Sequence, residues 1–131
     1  MSDDTRVTGE RIRRQVLGDR HVDAAFGGAD AFTRDFQEFL TTYAWGEIWA
    51  RPGLDRRTRS AITVAMLATL RAEHELAMHT RAALRNGLTP DELREVLLQV
   101  AIYAGVPAAN TAFQIAQRVL EEEGAIPGEP G

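Results

Sequence analysis

Apolar residues recur at three- and four-residue spacing along most of the chain. This period predicts helices, and no stretch alternates apolar and polar residues as a half-buried strand would. The pattern therefore predicts an all-α, single-domain bundle of about six helices over residues 1–123. The Gly- and Pro-rich end, residues 124–131, is predicted to be a disordered tail.

The first third of the chain gives the least regular pattern. Residues 1–8 are polar and predicted to fray, the segment ERIRRQVL is predicted to form a short helix ending at Gly18, and residues 18–30 are predicted to form a loop. Asp30 is a candidate N-cap for a second helix, which Gly46 and Pro52 should end or bend. The apolar stripe of that helix is predicted to be core: Phe32, Phe36, Phe39, Leu40 and Tyr43.

Four further helices have clear boundary signals. Asp55 can cap a third helix, RRTRSAITVAMLATL, and Asn86-Gly87 should end a fourth. Thr89, Pro90 and Glu92 form the pattern of a capping box at the start of a fifth, which runs to about Ala104. A sixth helix follows Gly105 and Pro107.

Two of these helices leave little polar surface. The segment AITVAMLATL is apolar nearly all round, and so is the sixth helix through Ala112, Phe113, Ile115, Ala116, Val119 and Leu120. A domain of 131 residues rarely buries a helix on all sides by itself. We therefore expect burial against a second subunit, that is, a homo-oligomer.

Composition narrows the possible functions. A net charge of -4 argues against nonspecific binding to nucleic acid or to acidic lipid surfaces, and no run approaches the ~20 apolar residues that span a bilayer. The segment AALRNGLTPDELREVL resembles a helix-turn-helix, but its second helix begins with acidic residues that would repel phosphate. We therefore expect a soluble, cytoplasmic protein.

Two residue types are missing from the sequence. The chain has no cysteine, which excludes disulfides, thiolate nucleophiles and Cys-ligated metals. All 15 basic residues are arginine, which excludes a lysine Schiff base and the lysine anchor of pyridoxal phosphate.

The fourth helix, within HELAMHTRAALRNG, carries the strongest candidate chemistry. Glu75 and His79 are four residues apart, about 40° around the helix, and share a stripe with alanines. Two interpretations are open: a partly desolvated pair that donates or relays a proton, or a buried hydrogen-bonded pair that fixes helix register. His74 lies about 140° from His79 and is expected to be solvated, so the two cannot hold a metal together. His21 is expected to make a local turn contact.

Arginines cluster after the second helix and are natural partners for an anion. The segment WARPGLDRRTR contains Arg51, Arg56, Arg57 and Arg59 close to Trp45, Glu47 and Trp49. One interpretation is that at least one of them lines a pocket. The other is that they form a solvated helix start.

Four segments together resemble the γ-carboxymuconolactone decarboxylases of the alkylhydroperoxidase-like superfamily: VLGDRHVD, DFQEFLTTYAWGEIWARPGLDRRTRS, MHTRAALRNGLT and EVLLQVAIYAGVPAANTAF. The resemblance covers nearly the whole chain. It implies an all-helical enzyme that forms a trimer or hexamer and needs no metal or organic cofactor. The superfamily's peroxidases carry C-x-x-C-x-x-x-H on the corresponding helix, and in this chain the histidine is retained as His79, while Ala72 and Glu75 replace the cysteines.

The resemblance also implies a reaction, the conversion of 4-carboxymuconolactone to 3-oxoadipate enol-lactone and carbon dioxide in the protocatechuate branch of the β-ketoadipate pathway. Electrons from the departing carboxylate enter the conjugated lactone carbonyl, and a proton is then delivered to carbon. His79 is predicted as general acid, Glu75 as its orienting partner, Arg51 and Arg57 as carboxylate contacts, and Glu47 and Tyr103 as further polar site groups. The alternative is a non-catalytic, oligomeric small-acid-binding protein on the same fold.

Overall fold

A computed structural model describes residues 3–128 of the chain. These residues form seven α-helices and one π-helix, with no strand among them, so the all-α prediction is confirmed. The predicted count of about six helices is close to this, because the second predicted helix is divided into α3 and the π-helix and α2 is the one additional helix. The helices are α1 Asp3–Leu17, α2 Asp19–Gly27, α3 Arg34–Phe39, the π-helix Leu40–Trp49, α4 Arg56–Leu70, α5 Glu73–Arg85, α6 Pro90–Tyr103 and α7 Val106–Glu122.

The chain divides into two compact units, Met1–Asp55 and Arg56–Gly131. In the second unit, α4 to α7 enclose a core of aliphatic side chains, among them Val64, Leu76, Leu93, Leu97 and Val119. Among the described residues, no helix is both long and apolar enough to cross a bilayer.

In the first unit, α1 crosses the π-helix at very short distance. A Cβ atom added to Gly9 would lie 1.9 Å from the carbonyl oxygen of Thr41, and one added to Gly46 would lie 2.4 Å from that of Thr5. Only glycine fits at these two points. The crossing explains one error of prediction, because residues 3–8 belong to α1 instead of fraying. It also places Gly46 inside the π-helix, which ends at Trp49, before Pro52.

The predicted loop at residues 18–30 was also wrong, because most of it is α2. Val22 is fully buried there. The Arg14 guanidinium contacts the carboxylates of Asp19 at 3.3 Å and Asp23 at 2.8 Å, one turn apart on α2. These contacts stabilise a helix where the sequence predicted a loop.

Asp30 does not cap the next helix directly. Its carboxylate accepts hydrogen bonds from the backbone amides of Phe32 and Thr33, both at 2.9 Å, and from the Thr33 hydroxyl. These bonds hold the pKa of the Asp30 carboxyl below its usual range, and the two bonds from Thr33 contribute most. They fix a turn, and α3 begins only at Arg34.

The aromatic stripe predicted as core is largely exposed on this chain. Phe32 is 93% exposed, Phe36 58%, Phe39 56% and Tyr43 45%. The rings of Phe39 and Tyr43 are in contact, with centroids 4.9 Å apart, but helical periodicity cannot tell what covers these side chains. We refer to these four residues as the aromatic row.

Helix boundaries in the second unit follow the sequence signals closely. α4 has the predicted bounds, Thr89 and Glu92 form a complete capping box, and Gly87, with φ of +97°, follows the end of α5. However, most of the apolar face of α7 packs within the unit, where Ala112, Ile115, Ala116, Val119 and Leu120 are buried. These side chains are therefore covered within the unit, and the predicted burial against a second subunit stays a prediction.

The last described residues continue beyond α7. The amide of Ala125 donates to the carbonyl of Leu120 at 2.8 Å, and Ile126 packs against the core of the second unit. Residues 129–131 of the predicted tail lie outside the described residues. The domain boundary at 123 stays a prediction.

Candidate active site

His79 lies on the buried face of α5, with 8% of its surface exposed. Leu76, Ala82 and Ala83, on the same side of the helix, are buried as well. Glu75, one turn earlier, is exposed. The two predicted catalytic residues thus lie on adjacent turns, as expected, but only the imidazole is shielded from water.

Both ends of α5 are anchored to neighbouring helices. At the C-terminal end, the Asn86 amide donates to the buried Ser60 hydroxyl of α4 at 2.8 Å. Asn86 is seven residues beyond His79, almost directly below it on the helix surface. The stripe that carries His79 therefore faces α4 at its lower end.

At the N-terminal end, Arg71 links α4 to α5 in a left-handed conformation, with φ of +58°. Its amide donates to the carbonyl of Ala68, and the amide of Ala72 donates to that of Leu67, which is the bonding of a Schellman turn. The Arg71 guanidinium reaches the Thr111 hydroxyl of α7 at 3.1 Å. Together with the Asn86 bond, these contacts fix the position of the helix that carries His79.

Arg57 is placed at a different corner from His79. Its Nε donates to the carbonyl of Gly87 at 3.3 Å, and its Nη2 forms an ion pair with Glu92. The hydrogen bond from Arg57 lowers the pKa of the Glu92 carboxyl more than any other contact does. Gly87 lies eight residues beyond His79, roughly 12 Å along the helix axis. These contacts therefore hold Arg57 at the C-terminal end of α5.

Glu47 and Arg51 belong to the first unit. Glu47 is exposed on the π-helix, and Arg51 is exposed just after it. The same segment carries a stacked pair of indoles, Trp45 and Trp49, with ring centroids 5.0 Å apart. Trp45 is buried and provides a rigid base for this segment.

The remaining candidates lie at exposed or separate positions. Tyr103 ends α6 and is 83% exposed, and His74 is exposed, as expected. His21 lies on α2 and not in the predicted loop.

A groove of about 240 Å³ between α6 and α7 is lined by side chains such as Leu97 and Phe113, and none of the predicted site residues lines it. Among the described residues, no group of three or more His, Asp and Glu side chains is arranged to hold a metal ion.

The burial of Arg13 on α1 was not predicted from the sequence. Arg13 is only 4% exposed and donates to Gln37 Oε1 at 3.0 Å and to Thr41 Oγ1 at 3.3 Å. The available signal was its position on the apolar stripe of α1, four residues after Gly9 and next to the buried Ile12.

Comparisons with known proteins agree with the resemblance. The model of the carboxymuconolactone decarboxylase family matches residues 34–118. A 4-carboxymuconolactone decarboxylase of Acinetobacter baylyi is 45% identical over 128 residues, 97% of this chain and 96% of the relative. A nitrosuccinic acid decarboxylase of Metarhizium robertsii is 41% identical over 114 residues, 87% and 80% of the two chains. The all-α chain with a buried histidine on α5 belongs to the carboxymuconolactone decarboxylase family.

Proposed function

We propose that the protein is a carboxy-lyase that decarboxylates 4-carboxymuconolactone to 3-oxoadipate enol-lactone without a cofactor, in protocatechuate degradation. The observation that carries this proposal is the 45% identity to a protein of that name over almost the full length of both chains. The non-catalytic binding protein is not favoured, because two relatives of similar length are decarboxylases by name. A cytoplasmic location accords with such a catabolic role.

The names of the two relatives support a common chemical requirement. Carboxymuconolactone and nitrosuccinic acid are both dicarboxylic acids in which the electrons released with carbon dioxide can enter a group of the substrate itself, a conjugated lactone in one and a nitro group in the other. The enzyme then has to bind the second carboxylate, stabilise the new anion and return a proton to carbon.

We assign the proton donor as His79. It is the buried imidazole of α5, and a site shielded from water strengthens its interaction with an anionic intermediate. Glu75 is proposed as its orienting partner, and Arg51 as a contact for the retained carboxylate. Glu47 and Tyr103 are proposed as weaker polar contacts. Arg57 is retained as a second carboxylate contact, although its ion pair with Glu92 must then be shared or exchanged.

The test of this function is a steady-state assay of carbon dioxide release from 4-carboxymuconolactone and, separately, from nitrosuccinic acid. If His79 supplies the proton, His79→Gln should lower kcat/KM by about 10²- to 10⁴-fold while the fold survives. His74→Gln is the matched control on the exposed face of the same helix and should be nearly silent. A folded His79→Gln protein with full activity would refute this role, and a wild-type protein inactive on both acids would refute the function.

We also propose that the working form is a homo-oligomer, a trimer or hexamer. The aromatic row is exposed in the first unit, and in the second unit Ile62, Met66 and Leu70 of α4 form an exposed apolar stripe. Surfaces of this kind usually mark protein interfaces. Sedimentation equilibrium should therefore give a mass several times 14.5 kDa, and Phe36→Glu should reduce it. A wild-type monomer at micromolar concentration would refute the proposal.

A further inference from the structure

The π-helix Leu40–Trp49 is the least common element of this fold. It is ten residues long, whereas most π-helical segments are single turns, often found at functional sites. A helix with bonds from residue i to i−5 takes about 4.4 residues per turn, or roughly 82° per residue instead of 100°. Over the seven steps from Leu40 to Glu47 the difference accumulates to about 130°. The π geometry therefore decides the face on which Glu47 is displayed.

The start of the π-helix is held by a buried hydrogen-bond network. The Thr41 hydroxyl, fully buried, donates to the carbonyl of Gln37 at 2.8 Å. Arg13 Nη1 donates both to the Thr41 oxygen at 3.3 Å and to the Gln37 side-chain oxygen at 3.0 Å. This network, which we call the Arg13 clamp, consists of Arg13, Gln37 and Thr41. It lies at the point where α3 changes to the π-helix.

Burying the charged guanidinium of Arg13 at this point costs desolvation free energy. Both acceptors in the clamp are neutral, and the guanidinium packs over the ring of Phe26, 5.5 Å from its centroid. Its Nε is buried with no hydrogen-bond partner among residues 3–128. Replacing a buried charge by an apolar side chain of similar length is often neutral or stabilising, so stability alone does not explain an arginine at this position.

We propose that Arg13 and Thr41 are positioning residues: by holding the start of the π-helix, they fix the face on which Glu47 and Arg51 are presented to the substrate. This inference rests on the proposed function for the roles of Glu47 and Arg51. The glycine crossing supports it independently, because only one rotation of the π-helix turns Gly46 towards α1.

Arg13→Met and Thr41→Val test the clamp, since each removes its hydrogen bonds while nearly keeping side-chain length or shape. Arg11→Met, at an exposed position of α1, and Thr41→Ser, which keeps the hydroxyl, are the matched controls. The two tryptophans of the chain both lie in the π-helix as a stacked pair. The tryptophan band of the near-ultraviolet circular dichroism spectrum therefore reports on this element without any assay of activity.

We expect both test variants to fold, with an altered tryptophan band and a KM for the dicarboxylic acid about tenfold higher at nearly unchanged kcat. Both controls should match the wild type. Folded test variants with a wild-type tryptophan band, or with wild-type kinetics, would overturn the inference, and so would unfolding of both, because the clamp would then serve stability. If the wild type proves inactive on both acids, the proposed function fails, and the tryptophan band alone decides whether the clamp holds the π-helix.

Discussion

The close approach of α1 and the π-helix at Gly9 and Gly46 predicts that adding a methyl group at Gly9 lowers the free energy of unfolding. In Gly9→Ala the new methyl group would lie 1.9 Å from the Thr41 carbonyl oxygen and 2.9 Å from the Gly46 nitrogen. Both are backbone atoms and cannot rotate away, so α1 and the π-helix must separate by more than 1 Å. Overpacking of this kind costs about 1–3 kcal/mol, and we expect the upper end. Alanine regains about 1 kcal/mol of helix propensity, which leaves a net loss of about 2 kcal/mol.

Thermal unfolding followed by tryptophan fluorescence measures this loss where it occurs, since Trp45 and Trp49 belong to the same unit as Gly9. A loss of about 2 kcal/mol should lower Tm by roughly 5–10 °C. Gly27→Ala is the matched control, because a Cβ atom at this last residue of α2 would meet nothing within 4 Å. The control should stabilise the protein slightly. A Gly9→Ala protein at least as stable as wild type would show that the helices do not cross so closely.

Three further predictions concern chemistry, capping and pH. The protein should reduce no hydroperoxide with a dithiol donor, because the chain has no cysteine to supply the thiolate; turnover above the blank would refute this. Thr89→Ala should cost about 1 kcal/mol in urea unfolding, because it removes the 3.1 Å bond from the Glu92 amide, whereas Thr89→Ser should cost little. Arg6 lowers the pKa of Glu38, so this pair adds stability above the usual glutamate range that is lost as the pH falls through the lowered pKa. Because both side chains are partly exposed to solvent, Glu38→Gln should remove less than about 1 kcal/mol at pH 7 and less again at acidic pH; an equal effect at both pH values would contradict the linkage.

The sequence predicted best those features that depend on neighbouring residues. The capping box at Thr89 and the end of α5 at Gly87 follow from local hydrogen bonding and backbone preference. The helix α2 was missed because its stability comes from a fully buried Val22 and from ion pairs with Arg14, which is on another helix. Contacts of that kind become visible only when the helices are packed.

The π-helix could not have been predicted from periodicity. Its buried residues, Thr41 and Trp45, are four apart, a spacing that fits an α-helix equally well. Among the candidate site residues, the shared face of Glu75 and His79 followed from the sequence, but the exposure of Glu75 did not. Spacing places two residues on one stripe, whereas burial depends on which element covers each turn.

The exposure of Glu75 limits how strongly it can act on His79. Two unit charges 4 Å apart interact by about 1 kcal/mol in water and by about 4 kcal/mol near a partly dry protein surface. If Glu75 stays in water during turnover, Glu75→Gln should lower kcat/KM by at most about fivefold. The ratio of mutant to wild-type kcat/KM should approach one in 1 M salt, where the Debye length is about 3 Å. Using the ratio cancels the effect of salt on substrate binding itself. A loss above about 100-fold that persists in high salt would contradict an exposed Glu75 and require that the substrate or a second copy of the chain covers this carboxylate in the working enzyme.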